Sequence, residues 1–300
     1  MSSPLQNSIL ITACDDLYVF LANDLFQSIQ RLQYELPFDL GLLDVGLNAQ
    51  NVAYFQSLGI KVVKVGVDID FPARAEWEAK RPGIKTLTAR PFIPRYFPGY
   101  DAYMWLDSDI WVQTPEAINT MLAHTLNSDG ISIVTEFDRC YSAFYESADI
   151  WQRFRGWYEA NYAPEVTAAM TLRPMLNAGT FAMHATSPLW QAWGNLYRDV
   201  LQNTADLSEK TFMADQLGLN ILLYLKGMPC TLMPTHYNWL TYYALPLFDK
   251  TSGLYVEPLP PYRPISQIHL TRPQKNCIEK ICCTDGSVIE RALTFGALSG

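Results

Sequence analysis

The sequence predicts an α/β protein in which a mostly parallel central sheet carries helices on its faces, folded as one continuous domain. Three observations predict it. Apolar, β-rich runs alternate with segments of helical period as β-α-β-α-β over residues 8–65, the pattern by which a parallel sheet with crossover helices reads in sequence. The apolar run Ala102–Leu106 ends directly in two carboxylates, Asp107 and Asp109, at the strand end where open α/β sheets collect their ligands. A chain of 300 residues, 49% of them hydrophobic, can bury one large core, and no internal repeat or low-complexity linker divides it.

Taken in order, residues 8–14 (Ser-Ile-Leu-Ile-Thr-Ala-Cys) form the first strand, and Asp15 and Asp16 stand at its end. From 18 to 32, Leu21, Leu25, Ile29 and Leu32 return at helical spacing. A strand at 39–45, a helix at 48–58 and a strand at 60–65 complete the opening. Residues 85–96 read as a helix interrupted near Pro91 and Pro94, because proline removes a helix hydrogen bond and crowds the preceding turn. The interruption can carry Arg90 toward Asp107; a solvated basic face is the plain alternative.

Residues 115–126 follow as a helix with Pro115 near its first turn, and 131–134 as a short buried strand with Glu136 and Asp138 behind it, where they could meet sugar hydroxyls. The aromatic stretch 140–173 is mostly packing, with one or two rings left to face a sugar. Residues 175–183 form an apolar strand, and Asn177-Ala178-Gly179 within it calls for close backbone approach by a ligand or a neighbouring strand. An amphipathic helix covers 188–203. Another helix opens near 214, with Asp215 and Gln216 at its positive end, either capping it or facing a cleft. A strand from 231 leads into a loop at 238. Residues 1–277 are read as the main domain and 278–300 as a C-terminal helical extension packed on it.

Composition narrows the function. A net charge of −8 argues against a nucleic-acid partner, since phosphate contacts need clustered Lys and Arg. No Gly-x-Gly-x-x-Gly follows the first strand and no Gly-x-x-x-x-Gly-Lys occurs, so phosphate has to be handled without either glycine-rich loop. A hard divalent ion on Asp107 and Asp109, its shell completed by phosphate oxygens, would do so. The start lacks the pattern of a signal peptide, and no run of eighteen apolar residues spans a membrane. Cys14, Cys140, Cys230, Cys277, Cys282 and Cys283 have neither disulfide-scaffold density nor Cys-x-x-Cys spacing and are read as reduced thiols. The expected location is cytoplasmic; peripheral membrane contact and homo-oligomerisation both stay open.

Several motifs, met in order, resemble glycosyltransferase family 8. Ala13-Cys14-Asp15-Asp16-Leu17-Tyr18 is similar to the family's Ala-x-Asp-Asp-x-Tyr, and Thr88-Ala89-Arg90 to its donor-contacting Arg segment. Asp107-Ser108-Asp109 resembles its metal-binding triplet and Asn177-Ala178-Gly179 its donor-sugar strand. Asp215-Gln216 with Asn220 resembles Asp-Gln-x-x-x-Asn, and His269 with Lys275 resembles the closing His-x-x-Gly-x-x-Lys. Three departures stand out: Arg272 replaces the motif's glycine, Asn276-Cys277 replaces Pro-Trp, and Leu217 stands where a second Asp is common.

The resemblance implies a GT-A fold, a single Rossmann-like domain with a mixed, mostly parallel central sheet flanked by helices. It implies a metal-dependent transferase moving a hexose from a UDP-sugar to a hydroxyl acceptor of unspecified kind (glycan, lipid-linked or protein), with retention of anomeric configuration. On this reading Ala13, Asp15, Asp16, Tyr18, Arg90, Asp107, Ser108, Asn177, Ala178 and Lys275 hold the nucleotide-sugar. Asp107, Asp109 and His269 hold the metal, manganese favoured over magnesium by the imidazole nitrogen. Asp215 and Gln216 lie at the reacting carbon, and attack on the face the phosphate leaves is preferred to attack by either side chain. Two rivals remain in view: a catalytically silent nucleotide-sugar-binding protein, and a haloacid-dehalogenase-like phosphatase with Asp107 as nucleophile, in which Trp111 would be out of place.

Overall fold

The computed structural model describes residues 7–32, 37–80, 82–203 and 212–298. Its strands are β1 (Ser8–Cys14), β2 (Asp39–Asp44), β3 (Lys61–Lys64), β4 (Ala102–Leu106), β5 (Ile110–Val112), β6 (Ile131–Thr135), β7 (Leu176–His184), β8 (Cys230–Met233), β9 (Trp239–Leu240), β10 (Leu247–Asp249), β11 (Leu254–Val256), β12 (Gln267–His269), β13 (Ile278–Cys282) and β14 (Val288–Ala292). The central sheet has the order β3-β2-β1-β4-β7-β6-β8. β1, β2, β3 and β4 are mutually parallel, β7 runs antiparallel to both β4 and β6, and β8 is parallel to β6. β7 alone is therefore reversed, and the sheet is mixed and mostly parallel, as the family resemblance implies; the alternation by itself predicts only the parallel part.

Side chains alternate across the sheet with the two-residue period of a strand. On one face Leu10, Leu42 and Met104 pack with Leu25, Phe26, Phe55, Ile118 and Met121, from the helices Val19–Gln30, Ala49–Ser57 and Glu116–Leu126. On the other, Ile9, Ile11, Tyr103 and Trp105 pack with Leu189, Trp193 and Leu219, from the helices Leu189–Asn203 and Ala214–Tyr224. Both faces are covered, which is why β1 and β4 are buried at every position.

The reversal of β7 decides where the site lies. Its first residues stand at the edge where the parallel strands end, so Leu176 to Gly179 join Cys14, Leu106 and Thr135 at one rim. The basic segment leading to that rim breaks as its prolines require: helix Lys85–Ala89, a 3₁₀ turn Arg90–Phe92 and helix Ile93–Tyr96.

A second, three-stranded sheet in the order β5-β12-β9 was not foreseen. Its strands are two or three residues long, too short for period-2 patterning to register. β12 pairs antiparallel with β5, setting His269 opposite Ile110, and parallel with β9. The amide of Leu270 donates to the Asp109 carbonyl at 2.9 Å.

The expected C-terminal helix is also corrected. β13 and β14 pair as an antiparallel hairpin. Gly286, at φ +82°, makes the turn, and Ile281 and Ala292 point inward while Lys280, Cys282 and Glu290 face solvent, a period of two rather than 3.6. The segment still packs on the core: Trp111 Nε1 donates to the Leu293 carbonyl at 2.7 Å, and the Trp111 and Phe295 rings lie 5.9 Å apart. Among the described residues no helix is long and apolar enough to cross a membrane.

Candidate active site

Asp107 follows β4 and Asp109 precedes β5, so the carboxylates flank the step between the two sheets. Each Asp107 oxygen has its own task. Oδ1 accepts from Arg90 Nη2 at 2.7 Å and from Trp105 Nε1 at 2.8 Å, while Oδ2 lies 3.9 Å from His269 Nε2. Asp109 Oδ1 is 3.1 Å from the same nitrogen and Oδ2 is 2.7 Å from Lys275 Nζ. One ligand atom from each of Asp107, Asp109 and His269 lies within 4.8 Å of the others, close enough for a single ion.

The chemistry of the donor set fits a divalent cation. Two carboxylate oxygens and one imidazole nitrogen converge, and the other ring nitrogen, Nδ1, is 3.0 Å from Asn238 Oδ1, the outer-shell partner that metal-binding histidines characteristically have. Burial works to raise the Asp109 carboxyl, yet His269 and Lys275 hold it well below the usual carboxylate range, so it stays an anion ready for a cation. Gly179 is required here: a Cβ would stand 2.6 Å from His269 Cε1 and 2.7 Å from Asp107 Oδ2. The close approach at Asn177-Ala178-Gly179 is made by the His269 and Asp107 side chains rather than by a neighbouring strand.

Arg90 bridges this cluster to Asp215. Its Nη1 donates to Asp215 Oδ2 at 2.8 Å, and its guanidinium carbon lies 5.2 Å from the centre of the Trp105 ring. Burial raises the Asp215 carboxyl above its ordinary value, with Arg90 pulling the other way. Burial likewise works against the Arg90 cation, but Asp107 and Asp215 together raise its value. Gln216 is engaged at both ends: Oε1 accepts from the Ala178 amide at 2.9 Å and Nε2 donates to Glu136 at 2.9 Å.

Two cavities meet at the cluster. One, of about 560 Å³, is lined by Ala13, Asp15, Tyr18, Gly83, Arg90, Trp105, Asp107, Ser108 and Asp109. The other, of about 470 Å³, shares Tyr18, Arg90, Asp107 and Asp109 and adds Glu136, Arg153, Trp157, Asn177, Asp215, Gln216, Tyr242, Tyr243, His269 and Lys275. Nearly every residue singled out in the sequence stands on one wall or the other.

Asp16 does not. It is exposed, and its carboxylate accepts from the Asn48 amide at 2.9 Å, Asn48 Nδ2 at 3.0 Å and Asn51 Nδ2 at 2.8 Å. It tethers the loop after β1 to the start of the Ala49–Ser57 helix and lines neither cavity. Ala178 is fully buried and offers only its backbone. Asp138 closes a turn, accepting from the Cys140 amide at 2.8 Å and Thr235 Oγ1 at 2.5 Å, and lines neither cavity. Asn238 and Tyr243 carry no signal in the sequence, because their roles arise from pairings across 61 and 107 residues.

The sequence model of glycosyl transferase family 8 matches residues 9–269. No curated protein sequence matches the chain. Among solved structures, the fold is similar to the galactosyltransferase LgtC in complex with donor and acceptor sugar analogs. That likeness has a TM-score of 0.53 at 18% identity and covers 88% of this chain and 87% of that one. An active-site mutant of LgtC aligns with TM-score 0.52 at 16% identity, covering 88% of each chain. Such identities speak for the GT-A fold alone. It is the match over residues 9–269 that settles kinship: this chain belongs to glycosyltransferase family 8.

Proposed function

We propose that this glycosyltransferase moves a hexose from a UDP-sugar to a hydroxyl acceptor, with retention at the anomeric carbon, using a divalent cation held by Asp107, Asp109 and His269. The observation that carries the reading is the meeting of those three side chains with Lys275 and Arg90 where the two cavities join. The imidazole nitrogen favours manganese over magnesium. A diphosphate leaves as a polyanion, and a cation at this position supplies Lewis-acid stabilisation of the charge on it. Lys275 and Arg90 add donors on the same side, which lets a chain of net charge −8 bind a polyanion by local inversion of the field.

The cavity past β1 takes the nucleotide, with Ala13, Asp15 and Tyr18 at its wall and Ser108 beside the diphosphate. The second cavity takes the sugar and the acceptor, with Asn177 near the sugar. Trp157 supplies the aromatic face anticipated in the 140–173 stretch. Neither candidate nucleophile is free: Asp215 Oδ2 is bound by Arg90 and Gln216 is held at both ends. Asp215 therefore orients donor hydroxyls, and attack by the acceptor on the face the phosphate leaves fits the arrangement better than a covalent intermediate.

The test is hydrolysis of a panel of UDP-hexoses with and without Mn²⁺, for wild type and Asp109→Ala. The substitution should lower the metal-dependent rate by about a thousandfold, corresponding to ~4 kcal/mol of lost charge stabilisation. Undiminished hydrolysis in Asp109→Ala, or in wild type stripped of divalent ions, would overturn the mechanism. UDP-sugar binding without turnover would favour a silent binding protein.

A further inference from the structure

His269 can ligate a cation through Nε2 only if that nitrogen carries its lone pair, so the ring proton has to sit on Nδ1. A chain of buried amides dictates this. The amide of Gly179 can only donate, and it points at Asn177 Oδ1 at 2.8 Å. An ionised carboxylate can only accept, and Glu136 Oε1 receives Asn177 Nδ2 at 2.7 Å. Those two contacts fix which way the Asn177 amide faces.

Asn238 Nδ2 then donates to the same Asn177 Oδ1 at 2.8 Å, which leaves Asn238 Oδ1 facing His269 Nδ1 at 3.0 Å. An acceptor there demands a proton on Nδ1. Glu136 is held in turn by Gln216 Nε2 at 2.9 Å and by the Tyr243 hydroxyl at 2.7 Å, and Asn177, Asn238, Glu136, Gln216 and His269 are all buried. No water needs to take part, and no link has a second orientation that keeps its neighbours satisfied.

We propose that Asn238, its amide oriented from Glu136 and Gly179 through Asn177, is the positioning residue that sets the tautomer of His269 and so poises Nε2 for the cation. This rests on the metal reading given above. Asn238 touches neither cavity wall; it acts through the ring it orients. Its removal frees Nδ1 and lets the ring proton move to Nε2, where Asp109 Oδ1 at 3.1 Å would accept it and close the ligand position.

The experiment reads the ring nitrogens of His269 by ¹⁵N NMR in metal-free, histidine-labelled protein, assigned against His269→Ala, and Mn²⁺ affinity by calorimetry. Wild type should show a protonated Nδ1; with no cation present Nε2 faces the Asp109 carboxylate at 3.1 Å and can carry a proton as well, so Nδ1 is the diagnostic nitrogen. Asn238→Leu, close in size but with no acceptor, should shift the ring toward the form protonated at Nε2 alone, with Nδ1 bare, and weaken Mn²⁺ binding about tenfold, the scale of outer-shell losses. Asn238→Asp keeps an acceptor at Nδ1, and its protonated oxygen can replace the donor toward Asn177. It should restore the wild-type ring pattern and bring affinity back to within about threefold. Tyr243→Phe loosens Glu136 from its far side and should leave the tautomer unchanged.

A bare Nδ1 in wild type, a wild-type pattern and affinity in Asn238→Leu, or no rescue by Asp would each overturn the proposal. Wild type that binds no Mn²⁺ at all would instead sink the metal reading beneath it.

Discussion

The two halves of the central sheet are built from different interactions. From β3 to β4 the strands are parallel and their buried side chains are almost all apolar, so the backbone ladder supplies the hydrogen bonds and packing supplies the rest. Around β7 and β6 buried polar side chains join the apolar ones. Asn220 bonds both backbone groups of Leu176, Gln216 bonds the Ala178 amide, and Thr180 donates to Gln267 Oε1 at 2.9 Å. Packing tolerates a change of shape as long as volume and pattern survive. A directional network does not, because each group it loses leaves another unpaired in a dry interior. The apolar half is a frame, and the polar half sets the angles of the site mounted on it.

Substitutions in each half can break this contrast. The largest effect on stability is expected in the frame. Leu42 on β2 is fully buried among residues of the helix-covered face, and Leu42→Ala should cost about 3 kcal/mol in a urea titration through lost burial and the cavity left behind. Mn²⁺ affinity should not change, since no site residue leans on that position. A loss of metal binding comparable to the loss of stability would mean that frame and site are not separable.

Asn220→Leu should do the reverse: a smaller loss of stability and a larger disturbance of function. Its amide accepts from the Leu176 N–H at 2.8 Å and donates to the Leu176 and Gln216 carbonyls, each at 2.8 Å. At the start of β7 it stands where a neighbouring strand would. Leucine fills the same space and strands those groups, at about 2 kcal/mol. Because Gln216 and Ala178 move with them, the KM for the nucleotide-sugar should rise as well. An unchanged KM would show that the amide network serves folding only.

What the sequence discloses follows the same division. Strand-helix alternation, the carboxylates behind Ala102–Leu106 and the proline-broken helix that carries Arg90 to Asp107 rest on contacts near in sequence or on strong local patterning, and all are legible. The meeting of His269 with Asp109 depends on a three-residue strand paired across more than 150 positions. Nothing in local periodicity announces that, and the motif resemblance alone pointed to it. The C-terminal hairpin reads as a helix in sequence because Ile278, Ile281, Ile289 and Ala292 suit a helical face nearly as well as an alternating one; Gly286 in a tight turn decides between them. Glu136 could be noticed, as an acid directly behind a buried strand, but neither its partner Tyr243 nor Asn238, which bonds Asn177 and His269, could be.

The smallest effect is expected at Asp16, and it tests how far motif likeness should be trusted residue by residue. Asp15 and Asp16 are adjacent, yet only Asp15 lines the cavity past β1. The Asp16 carboxyl lies below its ordinary value because the Asn48 amide, and then the Asn51 side chain, bond its ionised form. A carboxyl lowered on folding stabilises the folded state fully above its unfolded pKa of about 4, and that contribution disappears as the pH falls through the folded value. Asp16→Ala should therefore lower the melting temperature slightly at neutral pH, and the difference from wild type should shrink as the solution is acidified. UDP affinity should stay within about twofold, since a 1.4 kcal/mol change would be needed for tenfold. A tenfold loss of UDP binding with an unchanged melting temperature would return Asp16 to the nucleotide site and make both aspartates of the pair functional.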